Sequence, residues 1–158
     1  MSSTDTSELE FAGFWLRVGA SLIDTLIGAV IIVPFLWSAY GPAYFDSTAL
    51  VAGPFDFLVT WVLPAIATIL FWIYEESTPG KMALGIRVVD ATTGAHASTG
   101  QYVGRYFAYY LSLIPLGLGF LWVGWDPRKQ GWHDRLANTV VVRRRRVTES
   151  PSFRPPSA

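Results

Sequence analysis

Cysteine is absent from the 158-residue chain, which excludes a disulfide framework, a thiolate metal centre and a thiol nucleophile together. Histidine occurs only as His96 and His133, too few for an imidazole metal cage. Charge is scarce as well: 15% of residues are Asp, Glu, Lys or Arg, against roughly 25% in an ordinary soluble domain. The phosphate-binding loops are also missing. Thr78-Pro79-Gly80-Lys81 contains a Gly-Lys pair, but Glu75 stands where a GxxxxGK loop needs its first glycine and Met82 where it needs Ser or Thr. Gly117, Gly119 and Gly124 do not have the GxGxxG spacing, and no motif places a nucleophile beside His133 and Asp134. These gaps leave no catalytic constellation. The expectation is a non-enzyme without cofactor or metal.

What is present is hydrocarbon. Hydrophobic residues make up 51% of the chain and aromatics 15%, enough for a membrane protein of one compact domain. From Val18 to Ala39 the only ionisable side chain is Asp24, and about 20 apolar residues carry a helix across a ~30 Å hydrocarbon layer. Arg17 stands at the start of that run, so Arg17, Ala20, Ser21, Asp24 and Gly28 form one helical stripe. A carboxylate in lipid is costly, and it should face protein or a water-filled cavity. Phe57 to Tyr74 is a second uncharged run, with Pro64 predicting a kink and Ala65, Ala67 and Thr68 allowing close packing. Tyr106 to Trp125 is a third, broken near its middle by Pro115, Gly117 and Gly119.

Positive charge decides how the third run is threaded. The loop 40–56 has no Lys or Arg, whereas Lys81, Arg87, Arg105, Arg128, Lys129 and Arg135 flank the later runs. The positive-inside rule places these basic segments in the cytoplasm of a cell-membrane (inner-membrane) protein, with both termini inside. The third run should then enter and leave on one face, as a re-entrant helical hairpin turning at Pro115; three full crossings is the rival arrangement. The fold class is thus an all-α integral membrane protein: two transmembrane helices plus a Pro/Gly-broken re-entrant or third transmembrane segment, with a small cytoplasmic β-element. For that element, Ile86 to Val89 reads as a strand, Thr93-Gly94 as a turn and Ala95 to Ser98 as a return arm. Thr139 to Val142 is a further β-run that would pair with Ile86 to Val89, His133 to Ala137 forms one helical turn, and Asn138 suits a left-handed cap. Residues 1–10 read as a disordered tail, 11–143 as the membrane domain and 144–158 as a basic, Pro-rich disordered tail. The start, MSSTDTSELE, lacks the basic and apolar regions of a cleaved signal peptide, so the first helix is expected to do the targeting.

Arg17 and Asp24 in AGFWLRVGASLID, Asp134 in GWHDRLANTVVV and the block TPGKMALGIRVVD at 78–90 together resemble the RDD family of small bacterial membrane proteins. That family is named for one arginine and two aspartates. Asn138 stands where the family more often has glycine, a change that keeps the left-handed backbone accessible. The resemblance implies a membrane protein associated with transport of unidentified ligands, with sodium/proton exchange in some members.

Asp24 is the leading candidate for binding a proton or small cation in turn, the chemistry of an exchanger. Its alternative is a structural ion pair with Arg17 or Arg105, in a scaffold or accessory subunit that transports nothing. Arg17 suits either an interface anchor or a bridge to Asp134, which could also cap a helical turn. Arg105 is the spare cation nearest the core. Glu75 and Glu76 diverge around the helix and read as ordinary helix-end residues. Two or three spans cannot enclose an ion pathway, so transport needs a homo-oligomer or a membrane partner. Arg143, Arg144, Arg145 and Arg146 read as an anchor to anionic lipid of the bilayer, not as a nucleic-acid site.

Overall fold

The computed structural model describes residues 9–144; Arg145, Arg146, most of the expected C-terminal tail and residues 1–8 lie outside them. Helix α1, Phe14–Tyr40, and helix α2, Pro54–Glu75, are both long and apolar enough to cross a membrane. Helix α1 ends at Gly41, whose φ of 71° lets its N–H turn back to Trp37. Helix α2 starts with Pro54 in its first turn, where a missing N–H costs nothing. The irregularity expected at Pro64 takes the form of a π-turn over Leu58–Val62. Pro64 has no N–H for the Thr60 carbonyl and its ring crowds that oxygen, so the turn before it widens. Glu76 closes α2 in the left-handed conformation.

A short helix α3, Pro79–Ala83, leads into strand β2, Ile86–Asp90. Helix α4, Thr99–Leu113, begins with a capping box in which Ser98 and Gln101 exchange hydrogen bonds. Left-handed Leu116 and Gly117 then turn the chain, and the leg Leu118–Gly124 is bent by 113° from α4. Its helical part is α5, Leu118–Leu121. Gly119 lies so close to Ser112 that a Cβ there would stand 2.7 Å from the Ser112 Cα, so the leg folds back on α4. Helix α6, Trp132–Leu136, follows, then Asn138 in the left-handed region and strand β3, Thr139–Arg144.

Strand β3 is the centre of a three-stranded antiparallel sheet, ordered β1-β3-β2, where β1 is Leu9–Phe11. Val88 faces Val141, as the expected pairing requires, and Glu10 faces Arg143. Two expectations are corrected. Leu9 and Glu10, assigned to one disordered tail, form β1 with Phe11, because Leu9 covers Val89, Val140 and Val142 on one face of the sheet, and Arg144, assigned to the other, ends β3 opposite Leu9. Ala95 to Ser98 is not a return strand: on the edge of β2 away from β3 it accepts only the Asp90 N–H, at the Ala95 carbonyl, while the Glu76 carbonyl takes the Val88 N–H. The Asp90 side chain caps the turn by accepting from Thr92, Thr93 and Gln101. The other sheet face carries Ile86, Val88 and Val141 into a core with Trp72, Tyr102 and Ala20. Sheet and core therefore tie together the start of α1, the end of α2 and the segment after the bent leg.

Candidate functional site

Asp134 is fully buried at the start of α6, where it accepts from the Gly131 N–H at 2.9 Å and so caps its own helix. Arg17, from the first turn of α1, donates Nη1 to Asp134 Oδ2 at 2.5 Å and Nε to the Ala12 carbonyl at 3.1 Å. Its Nη2 reaches the Lys129 carbonyl. Arg105 of α4 pairs with the other carboxylate oxygen, donates to Thr139 Oγ1 at 2.8 Å, and lies over the rings of Trp72 and Tyr109. Arg105 is therefore the second partner of Asp134 and no spare cation. Burial alone would raise the Asp134 carboxyl, but Arg105, then Arg17, hold it well below the usual carboxylate range. One carboxylate thus joins α1, α4 and α6.

His133 sits beside it, its ring 4.4 Å from that of Tyr109 and 5.0 Å from that of Phe120. Burial pushes its pKa down to about 3, more than the attraction of Asp134 recovers, so it is a neutral group at ordinary pH. Ser112 Oγ accepts from the His133 backbone N–H.

Asp24 is on the same stripe as Arg17, yet it pairs with neither Arg17 nor Arg105. Its Oδ1 accepts from the Gly80 N–H at 2.7 Å and its Oδ2 from the Thr78 hydroxyl at 2.5 Å. A carboxylate on a long helix is thus capping the short helix α3 from across the interface. Gly80 is required by closeness: a Cβ there would stand 2.9 Å from Asp24 Cγ and collide with the Ala20 carbonyl.

These groups end a cleft of about 920 Å³ between α1, α2, α4 and the bent leg. Arg17, Asp24, Thr78, Lys81, Arg105 and His133 line its polar end. The remaining walls are mainly aliphatic and aromatic, including Gly28, Ile31, Pro64 and Ala67. Lys81 is buried, with Nζ 5.0 Å over the Trp72 ring. Burial lowers its pKa, with Arg105 and Arg17 acting in the same direction.

Sequence reasoning named Arg17, Asp24, Arg105 and Asp134; the first three line this end of the cleft, and Asp134 is buried behind the two arginines. It missed Lys81, His133 and Thr78, although the quoted blocks TPGK and GWHD contain them. It also missed Asp56, buried at the far end of α2, which accepts from Tyr44, Ala52 and Thr60 at 2.7 Å each. The basic run is elsewhere: Arg143 pairs with Glu10 in the sheet and Arg144 is exposed. Among the described residues no three His, Asp or Glu side chains approach closely enough to hold a metal ion.

The model of the RDD family matches residues 11–138. The uncharacterized protein YxaI of Bacillus subtilis is 32% identical over 151 residues, covering 83% of this chain and 96% of its own length. The uncharacterized membrane protein YteJ of the same organism is 27% identical over 145 residues, 84% of this chain and 80% of that protein. A proline-rich antigen homolog of Mycobacterium tuberculosis is 34% identical over 92 residues, where the match spans 54% of this chain but 38% of the relative. No solved structure matches.

Proposed function

The chain belongs to the RDD family, and from that premise we propose that it is a ligand-binding module of a membrane transport process, taking its ligand into the cleft between its helices. The observation that supports this is the cleft itself. Its volume of about 920 Å³ falls in the upper part of the roughly 300–1,000 Å³ range of small-molecule sites, and its polar groups gather at one end.

The setting is a cell membrane, with α1 and α2 crossing it. Strand β1 precedes α1, β2 follows α2, and β3 follows the third apolar segment, yet all three pair in one sheet. That pairing favours a third segment that enters and leaves on one face. The sheet side carries Lys81, Arg87, Arg128, Lys129 and Arg135, while the loop 40–56 has no Lys or Arg, so the sheet and both termini are assigned to the cytoplasm. The cleft then opens sideways within the bilayer, its polar end at the cytoplasmic boundary.

Arg17, Asp24 and Asp134 serve the fold in this reading, as the scaffold alternative also has it. Cation/proton exchange through Asp24 is the weaker reading, because both carboxylate oxygens are engaged and Arg17, Lys81 and Arg105 stand around the same cavity. Proton movement driven by a Na⁺ gradient in proteoliposomes, and lost in Asp24→Asn, would reinstate it. Movement of ligand across the bilayer would require a second copy or a partner, since two helices and a hairpin enclose no continuous path. The test of the cleft is Ala67→Trp, which fills it from the α2 wall. Native mass spectrometry should show a small molecule retained by the wild type through mild extraction and lost from the variant at unchanged thermal midpoint. Equal spectra would refute the cleft as a ligand site.

A further inference from the structure

Hydrogen-bond donors gather at the polar end of the cleft with too few acceptors. Lys81 is 7% exposed, lines the cleft, and its Nζ has no hydrogen-bond or ion-pair partner among the described residues. Trp72 Nε1 and Arg105 Nε, on two other residues that line the cleft, are buried donors without an acceptor, and Asp134 Oδ1 accepts no hydrogen bond but is engaged in its ion pair with Arg105. The nearby carboxylates are already committed. Asp134 is held between Arg17 and Arg105, and Asp24 accepts from Thr78 and Gly80. Three cations against these two carboxylates leave one positive charge uncompensated, and it falls on Lys81. A desolvated ammonium is costly unless it is paired.

Beyond that end the chemistry changes completely. The cleft runs between apolar stretches of α1 and α2, and the exposed side chains at its rim include Leu22, Ile31, Leu113, Leu116 and Leu121. Leu22 and Ile31 belong to a helix long enough to cross a membrane, so this mouth meets hydrocarbon. A soluble anion would satisfy the ammonium but leave the apolar walls unfilled. A neutral apolar molecule would do the reverse.

We propose that the cleft binds an anionic lipid, its head group accepting from Lys81 and its acyl chain lying between α1, α2 and α4. The proposal rests on the cleft being the ligand site and adds the class of ligand. The recognising chemistry, a negatively charged group rich in acceptor oxygens, is shared by free phosphate; the apolar walls assign it to a lipid.

The full chain in mild detergent is titrated, by native mass spectrometry, with lysophosphatidic acid, lysophosphatidylcholine of the same acyl chain, the matching monoacylglycerol and inorganic phosphate. Wild type should bind lysophosphatidic acid roughly tenfold or more tighter than the other two amphiphiles, the worth of one charge-assisted hydrogen bond. Lys81→Met should abolish that preference. The head-group comparison on the wild type stands by itself if Lys81→Met does not fold. Equal binding of all three amphiphiles, lost in Ala67→Trp, overturns the anionic class and leaves the cleft as a site. Binding of none, in wild type and Ala67→Trp alike, overturns both readings. Displacement of lysophosphatidic acid by inorganic phosphate overturns the lipid and points to a soluble anion.

Discussion

Asp134→Asn removes one charge and almost no volume, yet it should be among the most damaging single changes in the chain. Asp134 is fully buried and is the shared counter-ion of two guanidiniums from different helices. Arg105, 1% exposed, would be left in the core with hydroxyl groups and aromatic faces in place of a carboxylate. Arg17 would fare better, because it keeps the Ala12 and Lys129 carbonyls as acceptors. Breaking a buried pair on one side costs about 3–5 kcal/mol, so Asp134→Asn should lose that much, mostly through Arg105. Adding Arg105→Met to Asp134→Asn removes the stranded charge and should recover part of the loss. The assay is unfolding by SDS in mixed micelles for the wild type, both single variants and the double. A coupling energy above ~1.5 kcal/mol is expected for residues in direct contact. Costs that simply add, or an Asp134→Asn within ~1 kcal/mol of wild type, would refute the triad as the lock between helices.

The remaining expectations concern acid, the cap and close packing. His133 is 3% exposed and its pKa falls to about 3 from 6.5, so the unfolded chain takes up its proton first as pH drops. Stability is fully present above pH ~6.5 and should fall by roughly 1.5 kcal/mol between pH 6.5 and 5; His133→Gln should flatten that interval, and an unchanged slope counts against a buried neutral imidazole. Asp134, whose pKa is depressed, adds a second loss only below pH ~4. Asp24→Asn keeps an acceptor for Gly80 and should cost ~1 kcal/mol, while Asp24→Ala, which strips both hydrogen bonds, should cost about 2–3 kcal/mol; equal costs would mean that the charge, not the cap, matters. Gly80→Ala forces a methyl against Ala20 and Asp24 and should lose about 1–3 kcal/mol by overpacking, read as a lowered thermal midpoint in detergent.

The long helices were legible because an uncharged run is a one-dimensional signal: Val18 to Ala39 and Phe57 to Tyr74 both fall within helices long enough to cross a membrane. The β3 pairing with β2 was legible for a similar reason, since Val140, Val141 and Val142 form a short β-branched run beyond a left-handed Asn138. Strand β1 was not. Leu9 has no periodic neighbours, and only the valines of β3 give it something to cover. The site shows the same division. Arg17, Asp24 and Asp134 stand out as charges in or beside apolar sequence, but which pairs with which depends on how α1 meets α3 and α6. Asp24 and Arg17 share a stripe and still point to different partners. In the sequence Lys81 is only one of the basic residues that flank the later apolar runs; it is buried because Gly80 lets α3 dock on α1 at van der Waals distance.

A cleft that opens sideways into the bilayer requires the third segment to enter and leave by one face. With no native cysteine, single substitutions Ser47→Cys, Thr93→Cys and Leu136→Cys give clean labels at exposed positions in the 40–56 loop and on either side of that segment. In intact cells an impermeant maleimide should label Ser47→Cys alone, and Thr93→Cys and Leu136→Cys should react only after the membrane is opened. Labelling of Leu136→Cys from outside, with Thr93→Cys protected, would mean a third crossing and would contradict both the shared sheet and the sideways-opening cleft.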